Sequence, residues 1–258
     1  MLRLKQVTKS FRLPYGTIIK AVDKLSLSIA KTDFAVVVGP NGAGKSTLFD
    51  LISGRSYVDS GQIFFNNMDI TFRPAHKRSR YITLISQLRG AGLPRAMTVR
   101  EAIRLALEAG RRPLGTSIDK CISERLEVLE PGLSRLLTNQ IWHLSGGEYQ
   151  LVALSVATIL CEQSTDGLHI ILLDEHVSQL APKARDRVLR ATTDLVNRQH
   201  LTALLATHSP VIATSLGNRQ IVIANGRVVI DRSGADRIND VKDFREILLE
   251  VENNPKII

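Results

Sequence analysis

A glycine-rich loop at residues 39–47 is the part of the chain that most clearly predicts chemistry. Its sequence GPNGAGKST has the form G-x-x-x-x-G-K-[ST] and follows the apolar run at residues 34–38. Between a strand and a helix, such a loop points successive backbone N–H groups and the helix N-terminus at a phosphate. We expect Lys45 to reach the β and γ phosphates and Ser46 to ligate Mg²⁺. The other candidate phosphate-binding residues of this phosphate loop are Asn41, Gly42, Ala43, Gly44 and Thr47. The chain is therefore predicted to bind a nucleoside triphosphate.

Two adjacent acids after a second apolar run predict a site for a metal and a water molecule. Asp174 and Glu175 follow the sequence Ile-Ile-Leu-Leu at residues 170–173. Ligands of an open α/β sheet bind at the carboxyl ends of its strands, so we expect Asp174 to hold Mg²⁺ opposite Ser46 and Glu175 to face the attacking water. An acidic pair alone is more often a cap or a surface feature. Together with a phosphate loop it favours phosphoryl transfer, which needs a metal carboxylate and a group that orients or deprotonates water.

A third motif, LSGGE at residues 144–148, precedes a predicted helix. Its two glycines allow backbone N–H groups to approach a ligand, Ser145 supplies a hydroxyl, and the start of a helix favours an anion. Taken alone, the same residues are equally well explained by a helix cap with an acidic first turn at Glu148. Both interpretations stay open on the residues of this motif.

Length and composition limit the class of protein. The chain has 258 residues, of which 44% are apolar and 23% charged, which is sufficient for one large α/β domain with an inserted subdomain. No run of 18 apolar residues occurs, so we expect a cytosolic chain or one attached to a membrane through partners. The net charge is +9, but the basic residues are spread along the chain without interleaved aromatics, and we expect no nucleic-acid partner.

The elements that must position these motifs follow from hydrophobic periodicity. Strands are predicted at residues 2–8, 25–29, 34–38, 62–65, 81–85, 169–173, 201–206, 220–224 and 227–230. Asn225-Gly226 joins the last two strands and predicts a hairpin with a type I′ turn. Helical spacing dominates residues 88–162 and returns at 241–251. We expect one domain over residues 1–258, with a catalytic core and β subdomain in residues 1–87 and 163–258 and a helical subdomain in residues 88–162.

The order and intervals of the three motifs resemble those of the ATP-binding cassette (ABC) family, the ATPase subunits of ABC transporters, over nearly the whole chain. This resemblance implies an α/β P-loop NTPase (RecA-like) core with an antiparallel β subdomain and an inserted α-helical subdomain. It implies that Phe11 stacks on adenine, that Gln87 touches Mg²⁺ and water, and that His208 contacts the γ-phosphate. It also favours nucleotide binding by the third motif, through Ser145, Gly146, Gly147 and Glu148.

The resemblance further implies a mechanism that one chain cannot complete. Two cassettes, here expected to be identical, pack head to tail, so that phosphates held by Lys45 of one face the LSGGE motif of the other. Glu175 is the expected base, and Lys45, Gln87 and His208 are the expected catalytic partners, with ATP and Mg²⁺ as cofactors. The other implied partners are permease subunits and, indirectly, a solute-binding protein, which would hold the cassette at the cytoplasmic face of the membrane.

A narrower resemblance concerns LDEH at residues 173–176, Pro-Lys at 182–183 and the run at 201–208. These are similar to an importer subgroup of the tryptophan and tyrosine type or of uncharacterised uptake systems, which implies import of an amino acid or another small solute. Ala181 departs from the family, which usually has an aspartate there, and Glu148 replaces the usual glutamine. We expect slower but real hydrolysis. The alternatives are a weakly or non-hydrolysing regulatory cassette and a soluble ABC-type factor.

Overall fold

The computed structural model of the protein describes residues 1–86, 92–109, 118–162 and 168–253. Its strands are β1 Leu2–Arg12, β2 Ile18–Ile29, β3 Phe34–Val38, β4 Ser60–Phe65, β5 Met68–Asp69, β6 Ile82–Ser86, β7 Ile170–Asp174, β8 Thr202–Thr207, β9 Arg219–Ala224 and β10 Arg227–Ser233. Its helices are α1 Lys45–Ser53, α2 Ala75–Arg78, α3 Val99–Ala109, α4 Ile118–Leu129, α5 Gly146–Glu162, α6 Pro182–Arg198, α7 Pro210–Ser215 and α8 Val241–Asn253.

The strands form two sheets. A six-stranded sheet has the order β10-β9-β3-β8-β7-β6, parallel from β9 to β6 with β10 antiparallel at one edge. A four-stranded antiparallel sheet has the order β2-β1-β4-β5. In the larger sheet Val38 pairs with Thr207 and Asp174 pairs with Ala206, so the carboxyl ends of β3, β7 and β8 lie side by side.

The core lies on both faces of the larger sheet, because β3 is buried on each side. Val36 and Val38 belong to a cluster that includes residues of α3, α5 and α6. Ala35 and Val37, which alternate with them, belong to a second cluster with residues of α1 and of the antiparallel sheet. Since both faces are covered, the strand is apolar throughout, as parallel strands between two layers usually are.

Most elements lie where the sequence predicts them. The β9–β10 hairpin is confirmed, with φ of 48° at Asn225 and 74° at Gly226, both positive as a type I′ turn requires. The prediction for β2 was too short, because the strand begins at Ile18. Register shifts in its pairing with β1 break the alternation of apolar residues there. Within the described residues, no helix is both long enough and apolar enough to cross a bilayer.

Candidate active site

The phosphate loop connects β3 to α1, as predicted. Gly42 and Gly44 have φ of 81° and 102°, a region that L side chains rarely adopt. A Cβ at Gly44 would lie 2.1 Å from the carbonyl oxygen of Ala21, so the antiparallel sheet approaches the loop closely. The N–H of Leu48 donates to the Gly44 carbonyl at 2.8 Å and closes the first turn of α1. The loop is thus held against the N-terminus of a helix, where backbone N–H groups are available to an anion.

Lys45 is buried within this loop, with 5% of its surface exposed. Its Nζ donates to the carbonyl oxygens of Gly39 at 2.8 Å and Pro40 at 2.9 Å, and lies 3.8 Å from Oε1 of Glu175. Burial lowers the pKa of Lys45, while the charges of Glu175 and Asp174 oppose that change. The ammonium therefore lies between the loop and the acidic pair.

Ser46 and Asp174 meet at the carboxyl edge of the sheet. The Ser46 hydroxyl donates to Oδ1 of Asp174 at 3.1 Å. Burial raises the pKa of Asp174, the hydrogen bond from Ser46 opposes this, and the charges of Glu175 and Asp50 add to the increase. A hydroxyl and one carboxylate suit Mg²⁺, which takes few protein ligands and completes its shell with water and phosphate oxygens. No group of three or more His, Cys, Asp or Glu suited to a metal occurs among the described residues.

Glu175 has an unusual backbone conformation, with φ of 46°. A residue with a Cβ in this left-handed region is disfavoured by about 1 kcal/mol, so surrounding contacts must hold it. Its N–H donates to the Ala206 carbonyl at 3.1 Å, and its carbonyl accepts from the Ser178 N–H at 3.0 Å and hydroxyl at 2.8 Å. Oε1 of Glu175 lies 3.5 Å from Nδ1 of His208. The carboxylate is therefore flanked by two basic side chains, Lys45 and His208.

The LSGGE motif forms the N-terminus of α5, and its geometry is that of a capping box. The Ser145 hydroxyl donates to Oε2 of Glu148 at 2.7 Å, the Ser145 N–H donates to the same oxygen at 2.9 Å, and the Glu148 N–H donates to the Ser145 hydroxyl at 3.4 Å. The Ser145 hydroxyl is the main cause of a lowered pKa at Glu148, and Arg135 at 3.5 Å contributes. Within the described parts of the chain, no hydrogen bond or ion pair joins this motif to the phosphate loop.

Of the other predicted site residues, Phe11 lies on a different element from this cluster, and Gln87 is not among the described residues. Phe11 lies on β1 with 44% of its surface exposed, and Nζ of Lys9 is 5.6 Å from its ring centroid. Gln87 lies outside the described residues, directly after the last residue of β6, Ser86, which pairs with Asp174. The structure thus brings together Lys45, Ser46, Asp174, Glu175 and His208.

Comparison with known proteins decides the family. A family model described as "ABC transporter" matches residues 22–178. The chain belongs to the ABC transporter family. It is therefore an ATP-binding ATPase of this type, as the motifs predict, and the fold prediction of a P-loop core with an antiparallel sheet and a helical subdomain is confirmed.

Several relatives support this assignment. The cassette is 32% identical over 246 residues to the tyrosine transport ATP-binding protein of Clostridioides difficile, covering 93% of this chain and 94% of that protein. It is 32% identical over 230 residues to the sulfate/thiosulfate import ATP-binding protein CysA 1 of Shewanella oneidensis, covering 88% of this chain but 57% of that protein. The dimeric post-hydrolysis structure of the ATP-binding cassette MJ0796 bound to ADP and Pi matches in fold with a TM-score of 0.74 and 24% identity, over 90% of this chain and 98% of that one.

One contact of the cassette's phosphate loop is not predicted by the motifs. The Gly226 N–H donates to the Ala43 carbonyl at 3.1 Å, and the Gly226 carbonyl accepts from the Asp23 N–H at 3.0 Å. The β9–β10 turn therefore supports the phosphate loop and joins it to β2. Sequence alone predicts the turn through Asn225-Gly226, but it carries no local signal for a contact between residues so far apart in the chain.

Proposed function

We propose that this cassette is the ATP-hydrolysing subunit of a membrane importer whose cargo is an amino acid or another small solute. The observation that supports hydrolysis most strongly is the position of the Glu175 carboxylate, 3.8 Å from Lys45 and 3.5 Å from His208. Import is supported by 32% sequence identity to a tyrosine transport ATP-binding protein, in an alignment that covers 94% of that protein. The LDEH motif at residues 173–176 supports the same importer subgroup.

The nucleotide binds through groups that the fold holds in advance. Backbone N–H groups of residues 41–47 and the Lys45 ammonium hold the phosphates, and the exposed ring of Phe11 stacks on adenine. Lys45 exchanges its bonds to the Gly39 and Pro40 carbonyls for phosphate oxygens. Ser46, Asp174 and Gln87 would hold Mg²⁺, which would supply positive charge to offset that of the phosphates.

Glu175 is the general base of this mechanism. Its carboxylate accepts a proton from the water that attacks the γ-phosphate, while Gln87 helps to orient that water. Lys45 and His208 stabilise the negative charge that develops on the equatorial oxygens. Their basic groups lie beside the carboxylate before the nucleotide arrives, which reduces the reorganisation that the reaction requires.

A second copy of the chain completes the site. Ser145, Gly146 and Gly147 of the partner cassette contact the phosphates, and the capping bond between Ser145 and Glu148 opens so that the hydroxyl can donate to the γ-phosphate. In this proposal residues 1–87 and 163–258 form the ATP-binding core with its β subdomain, and residues 88–162 form the helical subdomain that carries the LSGGE motif. Permease subunits hold the pair at the cytoplasmic face of the membrane and receive cargo from a solute-binding protein.

An uptake assay tests this function. The neighbouring coding sequences are searched for a permease and a solute-binding protein, which are expressed with the cassette. Uptake of labelled tyrosine, tryptophan and other amino acids is then measured. We expect uptake of at least one amino acid with the wild-type chain and loss of that uptake with Glu175→Gln. Equal uptake with both chains would contradict the proposed function. ATP-dependent uptake of a different small solute, lost with Glu175→Gln, would assign the cargo to the second class that the proposal names.

A further inference from the structure

His176, the residue directly after Glu175, is buried although its side chain is polar. Its exposed fraction is 2%, and Nε2 lies 3.4 Å from the hydroxyl oxygen of Thr192, a residue of α6 that is entirely buried. The Thr192 hydroxyl donates its own proton to the Val188 carbonyl at 2.8 Å. Its oxygen is therefore the acceptor of the contact with His176, so Nε2 of the imidazole must carry the proton.

The environment of the buried His176 imidazole is not explained by a purely structural role of this side chain. Nδ1 of His176 has no hydrogen-bond partner among the described residues. An unpaired buried nitrogen opposes folding, and an apolar side chain of similar size would fill the same space without that loss. The polar contact with Thr192 therefore calls for another explanation.

The backbone of Glu175 supplies that explanation. Its φ of 46° is disfavoured, and such a conformation persists only where neighbouring contacts determine it. Bonds to Ala206 and Ser178 hold the Glu175 peptide groups, and the next side chain, His176, is fixed to α6. A rotation of the chain at this point would carry the Glu175 carboxylate away from Lys45 and His208.

We propose that His176 is a positioning residue, whose Nε2–H bond to Thr192 ties the turn after Glu175 to α6 and holds the Glu175 carboxylate between Lys45 and His208. This inference rests on the proposed role of Glu175 as the base. α6 is itself joined to the segment after α4 by an ion pair between Arg187 and Glu130 at 3.5 Å.

Adjacent threonines of α6 provide a matched test. The Thr193 hydroxyl donates to the Leu189 carbonyl at 2.9 Å, just as the Thr192 hydroxyl donates to the Val188 carbonyl. Among the described residues, no hydrogen bond joins Thr193 to a histidine. We expect Thr192→Val to lower kcat by about fivefold, the effect of losing one neutral hydrogen bond that holds the base. We expect the Kd for ATP to be unchanged, and Thr193→Val to hydrolyse ATP at the wild-type rate. The full chain with its permease is used throughout.

Two variants of His176 separate an effect on kcat through the hydrogen bond from an effect through protein stability. His176→Gln keeps an N–H donor near the position of Nε2, whereas His176→Leu removes it. We expect the kcat of His176→Gln to lie closer to the wild-type value, and long-range ¹H–¹⁵N spectra to show the Nε2–H tautomer in the wild-type chain and a shift of that signal in Thr192→Val. Equal kcat for Thr192→Val and Thr193→Val, or for His176→Gln and His176→Leu, would overturn the proposal. Full hydrolysis by Glu175→Gln would instead show that the base assignment is wrong.

Discussion

Individual residues of this cassette gain their chemical properties from burial as much as from their neighbours. Burial lowers the pKa of Lys45 and raises that of Asp174, although each lies near the opposite charge. Both charged forms are therefore less stable than they would be in water, and the nucleotide and cation that we propose for this site would supply the missing partners. The charges of Lys45 and Asp174 are thus better compensated by a bound ligand than by one another.

Buried histidines predict how stability changes with pH. The pKa of His169 is lowered to about 4 and that of His176 to about 3, in both cases by burial. The unfolded chain binds these protons at about 6.5, so it binds more protons than the folded chain at lower pH. The free energy of unfolding should then fall by about 1 kcal/mol per histidine between pH 7.5 and 5.5. Urea unfolding at the two pH values measures this loss.

The control is the same experiment on His176→Gln. Asp50 and Asp174 have pKa values raised by burial, and they oppose the trend because the folded chain binds their protons first. Their contribution is the same in both chains and cancels in the comparison. Between pH 7.5 and 5.5, the free energy of unfolding of His176→Gln should fall by about 1 kcal/mol less than that of the wild-type chain. An equal loss in both chains would show that His176 is not buried in its neutral form.

Among the single elements, the N-terminus of α6 bears both on the stability of the helix and on communication between two active sites. Ala181 occupies the N-cap position and provides no side-chain hydrogen bond to the first turn. An Asp or Asn at an N-cap stabilises a protein by about 1 kcal/mol relative to Ala. The family resemblance gives an aspartate at this position a second role, in communication between the two active sites.

Two substitutions at Ala181 separate these roles. Ala181→Asp and Ala181→Asn should both raise the free energy of unfolding by about 1 kcal/mol, because either side chain caps the helix. Only Ala181→Asp should also increase the rate of ATP hydrolysis, since it alone restores the carboxylate. Urea unfolding and steady-state hydrolysis measure the two effects. An equal rate increase in both variants would assign the effect to the helix cap alone.

The elements differ in how far sequence predicts them. β3 and β7 are short apolar runs followed by chemically distinctive residues, so their positions could be predicted. The roles of the residues that follow them stay predictions. The start of β2 could not, because bulges in its pairing with β1 interrupt the alternation. The positive φ of Glu175 and the Gly226–Ala43 bond depend on contacts between distant parts of the chain, which no local pattern encodes. The capping box of Ser145 and Glu148, by contrast, is a local pattern and was one of two open interpretations.

In the whole molecule, the topology of the larger sheet explains why the proposed catalytic side chains lie close together. Parallel strands β3, β7 and β8 end at one edge, which brings Lys45, Glu175 and His208 together from segments far apart in sequence. The LSGGE motif begins α5, a different element from the phosphate loop, which connects β3 to α1. In the proposed head-to-tail pair, the motif of one cassette faces the phosphate loop of the other.

The release of phosphate from Mg-ATP by the cassette with its permease tests whether Glu175 is the general base of ATP hydrolysis. Wild-type chain is compared with Glu175→Gln and with Glu246→Gln, which removes an exposed acid of α8. We expect Glu175→Gln to bind ATP with wild-type affinity but to release phosphate more slowly by on the order of 10²-fold or more, the usual loss for a general base. Glu246→Gln should match the wild-type rate. Phosphate release by Glu175→Gln at the wild-type rate would show that Glu175 is not the general base.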